Sequence, residues 1–197
     1  LPSRLLSGTR TIELPIDPPP SIESLDKDIE EVRRFSATRD NDPTLEWVLG
    51  INCRKNWTVE AKKKHVAPLA EWAERMKEAI KAGRSFPSSW PSPITALIVD
   101  DVGLVFYPGE PLTELGLSLA ARSPLLETRL VALTNGSEGY LGTDEDRRRG
   151  GYETYTVQRY DKLSEGNRPL PYALGAGECL LRNSLSLIDD LLKSEGH

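Results

Sequence analysis

Three loop segments carry polar side chains that neither helical periodicity nor turn chemistry accounts for: Pro108-Gly109-Glu110, Asn135 to Tyr140, and Gly150-Gly151-Tyr152-Glu153. The first two each follow a strongly apolar, strand-like run, and the ends of strands are where α/β sheets place their ligands. Their glycines permit positive φ or a close backbone approach, which suits a crowded site. One carboxylate and two phenols, Glu110, Tyr140 and Tyr152, therefore stand out as candidate site residues. Each also has a plainer reading. Glu110 precedes Pro111 and a helical segment, where a negative charge is favoured by about 0.3–1 kcal/mol. Tyr140 and Tyr152 read equally as half-buried loop aromatics, and Asn135-Gly136 as a turn.

Other chemistries find little support. There is no Gly-x-Ser-x-Gly elbow, no phosphate loop and no Cys-x-x-Cys pair. The two histidines, His65 and His197, do not make a self-contained His-rich metal site, and His65 lies among lysines on a helix face predicted to be solvated. Cys53 and Cys179 allow at most one disulfide. With 25 Lys and Arg against 30 Asp and Glu the net charge is -5, and no basic run exceeds Lys62-Lys63-Lys64 or Arg147-Arg148-Arg149, which argues against a nucleic-acid partner. The 38% hydrophobic and 28% charged fractions of these 197 residues describe an ordinary soluble globular chain. No apolar stretch reaches the roughly 20 residues of a transmembrane segment. Opening at Leu1 instead of Met, the sequence reads as a processed or excised piece.

The elements that must position the three loops follow from patterning. Ile12, Leu14 and Ile16 alternate with Thr11, Glu13 and Pro15, predicting a short strand that Pro15 confines to a sheet edge. Ser21 caps a predicted helix whose apolar stripe is Ile22, Leu25, Ile29 and Val32. Asp42-Pro43 predicts another helix, carrying Leu45, Trp47, Val48 and Leu49 and ending at Gly50. From Thr58 to Gly83 the composition is helical, but Pro68 removes a backbone hydrogen bond and clashes with the preceding turn, so two helices are expected. The second places Leu69, Trp72, Met76 and Ile80 on one face. Ser85 to Pro93 holds too many prolines for regular structure and predicts an extended connector.

Beyond the connector, Ile94 to Val99 and Leu104 to Tyr107 predict a buried hairpin turning at Asp100-Asp101-Val102-Gly103. Pro111 to Ala121 predicts a helix with Leu112, Leu115 and Leu119 on one face, and Arg129 to Thr134 a third strand. Thr143 and Asp146 are spaced as a capping box, and Leu181, Leu185, Ile188 and Leu192 stripe a closing helix that docks on the core. The expected fold class is α/β, a mixed sheet with flanking helices. Residues 1–93 form a mostly helical segment ending in the proline-rich connector, and 94–197 a mixed segment carrying the loops.

The order Pro108-Gly109-Glu110-x-x-Thr113, Asn135-x-x-x-x-Tyr140-x-x-Thr143 and Tyr152-Glu153 resembles the end of the catalytic domain of neutral (alkaline, non-lysosomal) ceramidases. A hairpin like that of Ile94 to Tyr107 leads into the first motif, and Gly139-Tyr140 followed by Gly150-Gly151-Tyr152-Glu153 is similar to the shorter bacterial members. The likeness covers Ile94 to Glu153, about 60 residues. It implies part of a larger zinc amidohydrolase domain that cleaves the amide of an N-acyl lipid, ceramide, to sphingosine and a fatty acid.

By that resemblance Glu110 and Tyr140 are zinc ligands alongside two histidines, and Tyr152 is a hydrogen-bond donor facing the substrate. Zinc accepts carboxylate oxygen at about 2.0–2.2 Å and lowers the pKa of its water to about 7. A phenol poised over the carbonyl stabilises the oxyanion by about 3 kcal/mol. The family's two histidine ligands, an arginine and a serine lie upstream of the matching stretch and have no counterpart here. The chain is therefore expected to hold half of a zinc site, to be inactive alone, and to be completed by an N-terminal portion of the same precursor or by a partner chain. An extracellular or periplasmic location, with the signal outside this chain, is implied as well, and a Cys53–Cys179 bridge would agree with it. Two other classes stand beside this reading: a non-catalytic binding module descended from the same fold, and an amidase or esterase acting on another acyl compound.

Overall fold

The computed structural model describes residues 3–38, 47–49, 51–52, 57–156 and 168–194. In chain order the elements are β1 (Leu5–Pro15), α1 (Ile22–Ala37), β2 (Trp47–Val48), β3 (Ile51–Asn52), α2 (Val59–Lys81), β4 (Ser89–Val99), β5 (Val102–Phe106) and β6 (Glu110–Pro111). After these come α3 (Thr113–Arg122), β7 (Glu127–Val131), β8 (Tyr140–Leu141), α4 (Asp144–Arg149), a single π-helical turn (Tyr152–Thr156) and α5 (Ala176–Ser194). Two compact units result. The first gathers Leu1–Ile16, Ser88–Arg148 and Tyr172–His197, and the second Asp17–Pro87 and Arg149–Pro171.

The first unit is a four-stranded mixed sheet in the order β1-β4-β5-β7, so the α/β expectation holds. β1 and β4 pair antiparallel from Leu5↔Val99 to Pro15↔Ser89, with β1 at the edge that Pro15 requires. β4 turns into β5 through Asp100, whose φ of +51° is held by its own side chain: Oδ1 accepts from the Ser3 amide at 2.9 Å, the Ser3 hydroxyl at 2.8 Å and the Arg4 amide at 3.0 Å. After α3 the chain returns as β7, parallel to β5. Alternation buries Ile12 and Leu14 of β1 and Ile94, Ala96 and Ile98 of β4, each aliphatic contributing about 1.5–3 kcal/mol. Over them lies α5, whose Leu191 and Leu187 approach Gly8 of β1 at 3.2 and 3.5 Å from where a Cβ would stand. The buried face of α5 is Leu180, Leu181, Ser184, Leu187 and Ile188, while Leu185 and Leu192 of the predicted stripe are half-buried.

The proline-rich connector needs correction, because its second half is strand. Ser89 to Pro93 are the start of β4, with Pro91 opposite Glu13 and Pro93 opposite Thr11. Two prolines at alternate positions lose their donors along the same edge of the strand, and β5 joins β4 only from Thr95 onward. The ladder with β1 is therefore intact.

The second unit is built on α1 against α2. Ser21 caps α1 by accepting from the Ser24 amide at 3.1 Å, and Leu25, Ile29, Val32 and Phe35 are its buried face. The predicted break at Pro68 does not occur: α2 runs unbroken from Val59 to Lys81 with Pro68 inside it. Buried Val66, Leu69, Trp72, Ala73 and Met76 fall on both sides of the proline, and that shared apolar face outweighs a helix penalty of about 3 kcal/mol. The helix expected around Trp47 is also corrected. Trp47–Val48 pairs antiparallel with Ile51–Asn52, and Leu49 sits between at φ +47°, its amide donating to Glu31 Oε1 at 2.9 Å while its side chain packs on Val32, Phe35, Val66 and Leu69. Tertiary docking has overridden local helix signals. The predicted cap Asp42-Pro43, Leu45 and Gly50 lie outside the described residues. His65, on α2, is half-buried, with its ring and that of Trp57 in a T-shaped contact, centroids 4.9 Å apart. Among the described residues no helix is long and apolar enough to cross a membrane.

Candidate functional site

Tyr107 follows β5 directly, and Pro108-Gly109 then turn the chain into β6. The backbone beyond β7 clasps this turn: Val131 O accepts from the Tyr107 amide, Tyr107 O from the Thr134 amide and Gly109 O from the Leu133 amide, at 3.0, 3.1 and 2.9 Å. Leu133 and Asn135 adopt φ of +53° and +61° to make the bend, in keeping with the turn read at Asn135-Gly136. The same loop is then gripped from its other side. The Glu138 amide donates to Pro108 O at 3.1 Å, the Glu110 amide to Gly139 O at 2.9 Å and the Leu112 amide to Leu141 O at 2.8 Å.

These bonds make β6 and β8 a two-stranded parallel ribbon in which Glu110 faces Tyr140 and Pro111 faces Leu141. Directly paired residues on neighbouring strands project to the same face, so the carboxylate and the phenol share a side of the ribbon. Both are half-buried. A two-residue ribbon has no independent stability, and its position is dictated by the packing around it. Gly109 is central to that packing: a Cβ there would lie 2.5 Å from the Tyr107 ring and 2.7 Å from Gly139 O. Any larger residue would push the two loops apart.

The plainer reading of Glu110, a helix N-terminal acid, is not what the fold uses it for. Glu114 is the acid of the first turn of α3, and Glu110 lies before the helix, in β6. Thr143 and Asp146 do form the predicted capping box, the Thr143 hydroxyl accepting from the Asp146 amide at 3.2 Å and Asp146 Oδ2 accepting from the Thr143 amide at 2.9 Å. This fixes α4 immediately after β8. Across the unit, Arg122 of α3 grips Glu178 of α5 with two bonds of 2.8 Å, and the hydrogen bond from that guanidinium holds the Glu178 carboxyl below its ordinary range.

Tyr152, the third candidate, belongs to the second unit, where it opens the π-helical turn and is 38% exposed. Cys53 and His197 lie outside the described residues.

One acidic residue escaped the sequence reading. Glu138 Oε2 accepts from Ser92 Oγ at 2.5 Å and from the Tyr172 hydroxyl at 2.9 Å, and the Tyr107 hydroxyl reaches the Tyr172 hydroxyl at 3.2 Å. Its partners come from positions 46 and 34 residues away, beyond the range of any local pattern. Its place between Ser137 and Gly139, two residues ahead of Tyr140, was the available hint.

Among the described residues no group of three or more His, Cys, Asp and Glu side chains is gathered to hold a metal ion. Glu110 and Tyr140 nevertheless make a chemically suitable pair of oxygen donors for part of a zinc shell, provided the phenol ionises; its ordinary pKa is about 10, and a bound cation favours the ionised form. No protein-family model and no curated protein matches the chain.

Proposed function

We propose that this chain is the C-terminal part of a ceramidase-like, zinc-dependent amidohydrolase domain that hydrolyses the amide bond of an N-acyl lipid. The observation that carries the reading is the register of β6 and β8, which pairs an acid with a phenol on one face of the ribbon.

Glu110 and Tyr140 would hold the zinc, and two histidines from an N-terminal portion of the precursor or a partner chain would complete its shell. When bound, zinc supplies Lewis-acid polarisation of the scissile carbonyl. The residues of this chain do the rest of their work by position. Glu110 would offer a carboxylate oxygen, a donor zinc accepts readily. Tyr140 would hold the ion as its phenolate, so metal uptake would strengthen as pH rises. Tyr152 would donate a hydrogen bond to the reacting carbonyl oxygen. Such a donor is typically worth about 3 kcal/mol, or a hundredfold or more in turnover.

The test is hydrolysis of a fluorogenic N-acylsphingosine by the chain joined to its upstream portion. Metal-dependent turnover that disappears in Glu110→Gln and falls about a hundredfold in Tyr152→Phe supports the reading. Undiminished turnover in Glu110→Gln overturns it. A protein that binds the lipid without cleaving it, with or without zinc, is instead a binding module of the same fold.

A further inference from the structure

We infer that Glu138 is the positioning residue of the Glu110–Tyr140 pair, its carboxylate locking the tyrosine loop to the main sheet so that Tyr140 meets Glu110 in register. The consequence for metal binding rests on the function proposed above. The structural claim does not.

Three observations converge on this residue. Its carboxylate oxygen Oε2 takes two hydroxyl donors at once, from Ser92 on β4 and from Tyr172 in the segment leading to α5, and Tyr107 at the end of β5 donates onward to Tyr172. Ser92 and Tyr107 are fully buried and Tyr172 is 2% exposed, so the anchors belong to the packed core and cannot drift. Finally, the Glu138 amide donates to Pro108 O, and the carbonyl of the next residue, Gly139, receives the Glu110 amide. One residue thus fastens its side chain to the sheet and its backbone to the Pro-Gly-Glu loop, immediately before the pair that must align.

The physical weight is considerable. Hydroxyl bonds to a carboxylate are charge-assisted and roughly twice as strong as neutral ones, and cooperative chains of them define one arrangement. Without this acceptor the ribbon of β6 and β8, too short to stand alone, loses its tether to β4. A merely structural role for Glu138 makes a different prediction, because loss of a core network would loosen the whole unit alike.

Hydrogen–deuterium exchange followed by NMR on the full chain separates the two. In Glu138→Ala, protection of the Glu110 and Leu112 amides is expected to fall about tenfold or more, while the amides of the β4–β5 hairpin stay within about twofold of wild type. In Glu138→Gln the protection returns, because both donors converge on a single oxygen that an amide carbonyl can replace. Uniform loss across the sheet, unchanged protection at Glu110 and Leu112, or failure of Gln to rescue overturns the claim. If Glu138→Ala does not fold, Tyr172→Phe and Ser92→Ala each remove one donor and must give the same selective pattern at smaller size; uniform or absent change in both overturns it equally. Zinc titration of these variants, within the complete protein, then reads the functional consequence. Wild type that takes up no zinc defeats the metal reading of Glu110 and Tyr140, while the exchange data still decide the role of Glu138.

Discussion

Glu110 and Tyr140, 30 positions apart in the chain, are direct Cα partners on two parallel strands. The partnership is made by the backbone, with Gly139 O and Leu141 O accepting from the Glu110 and Leu112 amides, and it is made possible by a glycine on each side, Gly109 and Gly139. Gly139 stands at φ +78°, where a side chain would be strained. Backbone pairing and the close approach of the two glycines set the acid opposite the phenol.

Gly109→Ala should therefore destabilise the fold by about 1–3 kcal/mol, since its methyl group has nowhere to go between the Tyr107 ring and Gly139 O. Gly116→Ala is the matching control: it lies within α3 with nothing within 4 Å of an added Cβ, so it should stabilise by up to about 1 kcal/mol. Denaturant melts of the two variants give the comparison. Equal effects would mean that the loop contact is not tight.

Much of this architecture was legible in the sequence, and the failures share one cause. The hairpin at Asp100, the N-cap at Ser21 and the capping box at Thr143 are local devices, and local patterns found them. Pro68, the Trp47 segment and the prolines of β4 depart from local patterning because each obeys a distant partner: the apolar face of α2, the cluster beneath Leu49, and the ladder with β1. At the candidate site the sequence showed Glu110 and Tyr140 as separate motifs. Their register, and the anchoring of Glu138 by Ser92 and Tyr172, are long-range facts that no window of residues contains.

If packing alone keeps α2 continuous through Pro68, then restoring the missing donor should help. Pro68→Ala is expected to raise stability by as much as about 3 kcal/mol, read as a higher denaturation midpoint at unchanged slope. A lower midpoint would show that the ring itself fills space in the unit.

Acid should act on the β4–β5 hairpin through Asp100. The Ser3 hydroxyl, the Arg4 amide and the Ser3 amide all bond its carboxylate and hold it below the ordinary value of 3.8. Because the folded chain then binds this proton more weakly than the unfolded chain, the stabilisation is complete above that value and drains away as pH falls through the lower folded one. Asp100→Asn, which tolerates the same positive φ, should flatten the loss of thermal stability on acidification below about pH 4. An unchanged acid limb in melts recorded across that range would assign the loss to other carboxylates.

The most direct test of the account is the zinc content of the complete protein, measured by elemental analysis after exhaustive dialysis, for wild type, Glu110→Gln and Tyr140→Phe. Stoichiometric zinc is expected in wild type, and its loss in both variants, with each variant still folded by circular dichroism. Full zinc occupancy in both would contradict it, because an acid and a phenol that can each be removed without consequence do not share an ion.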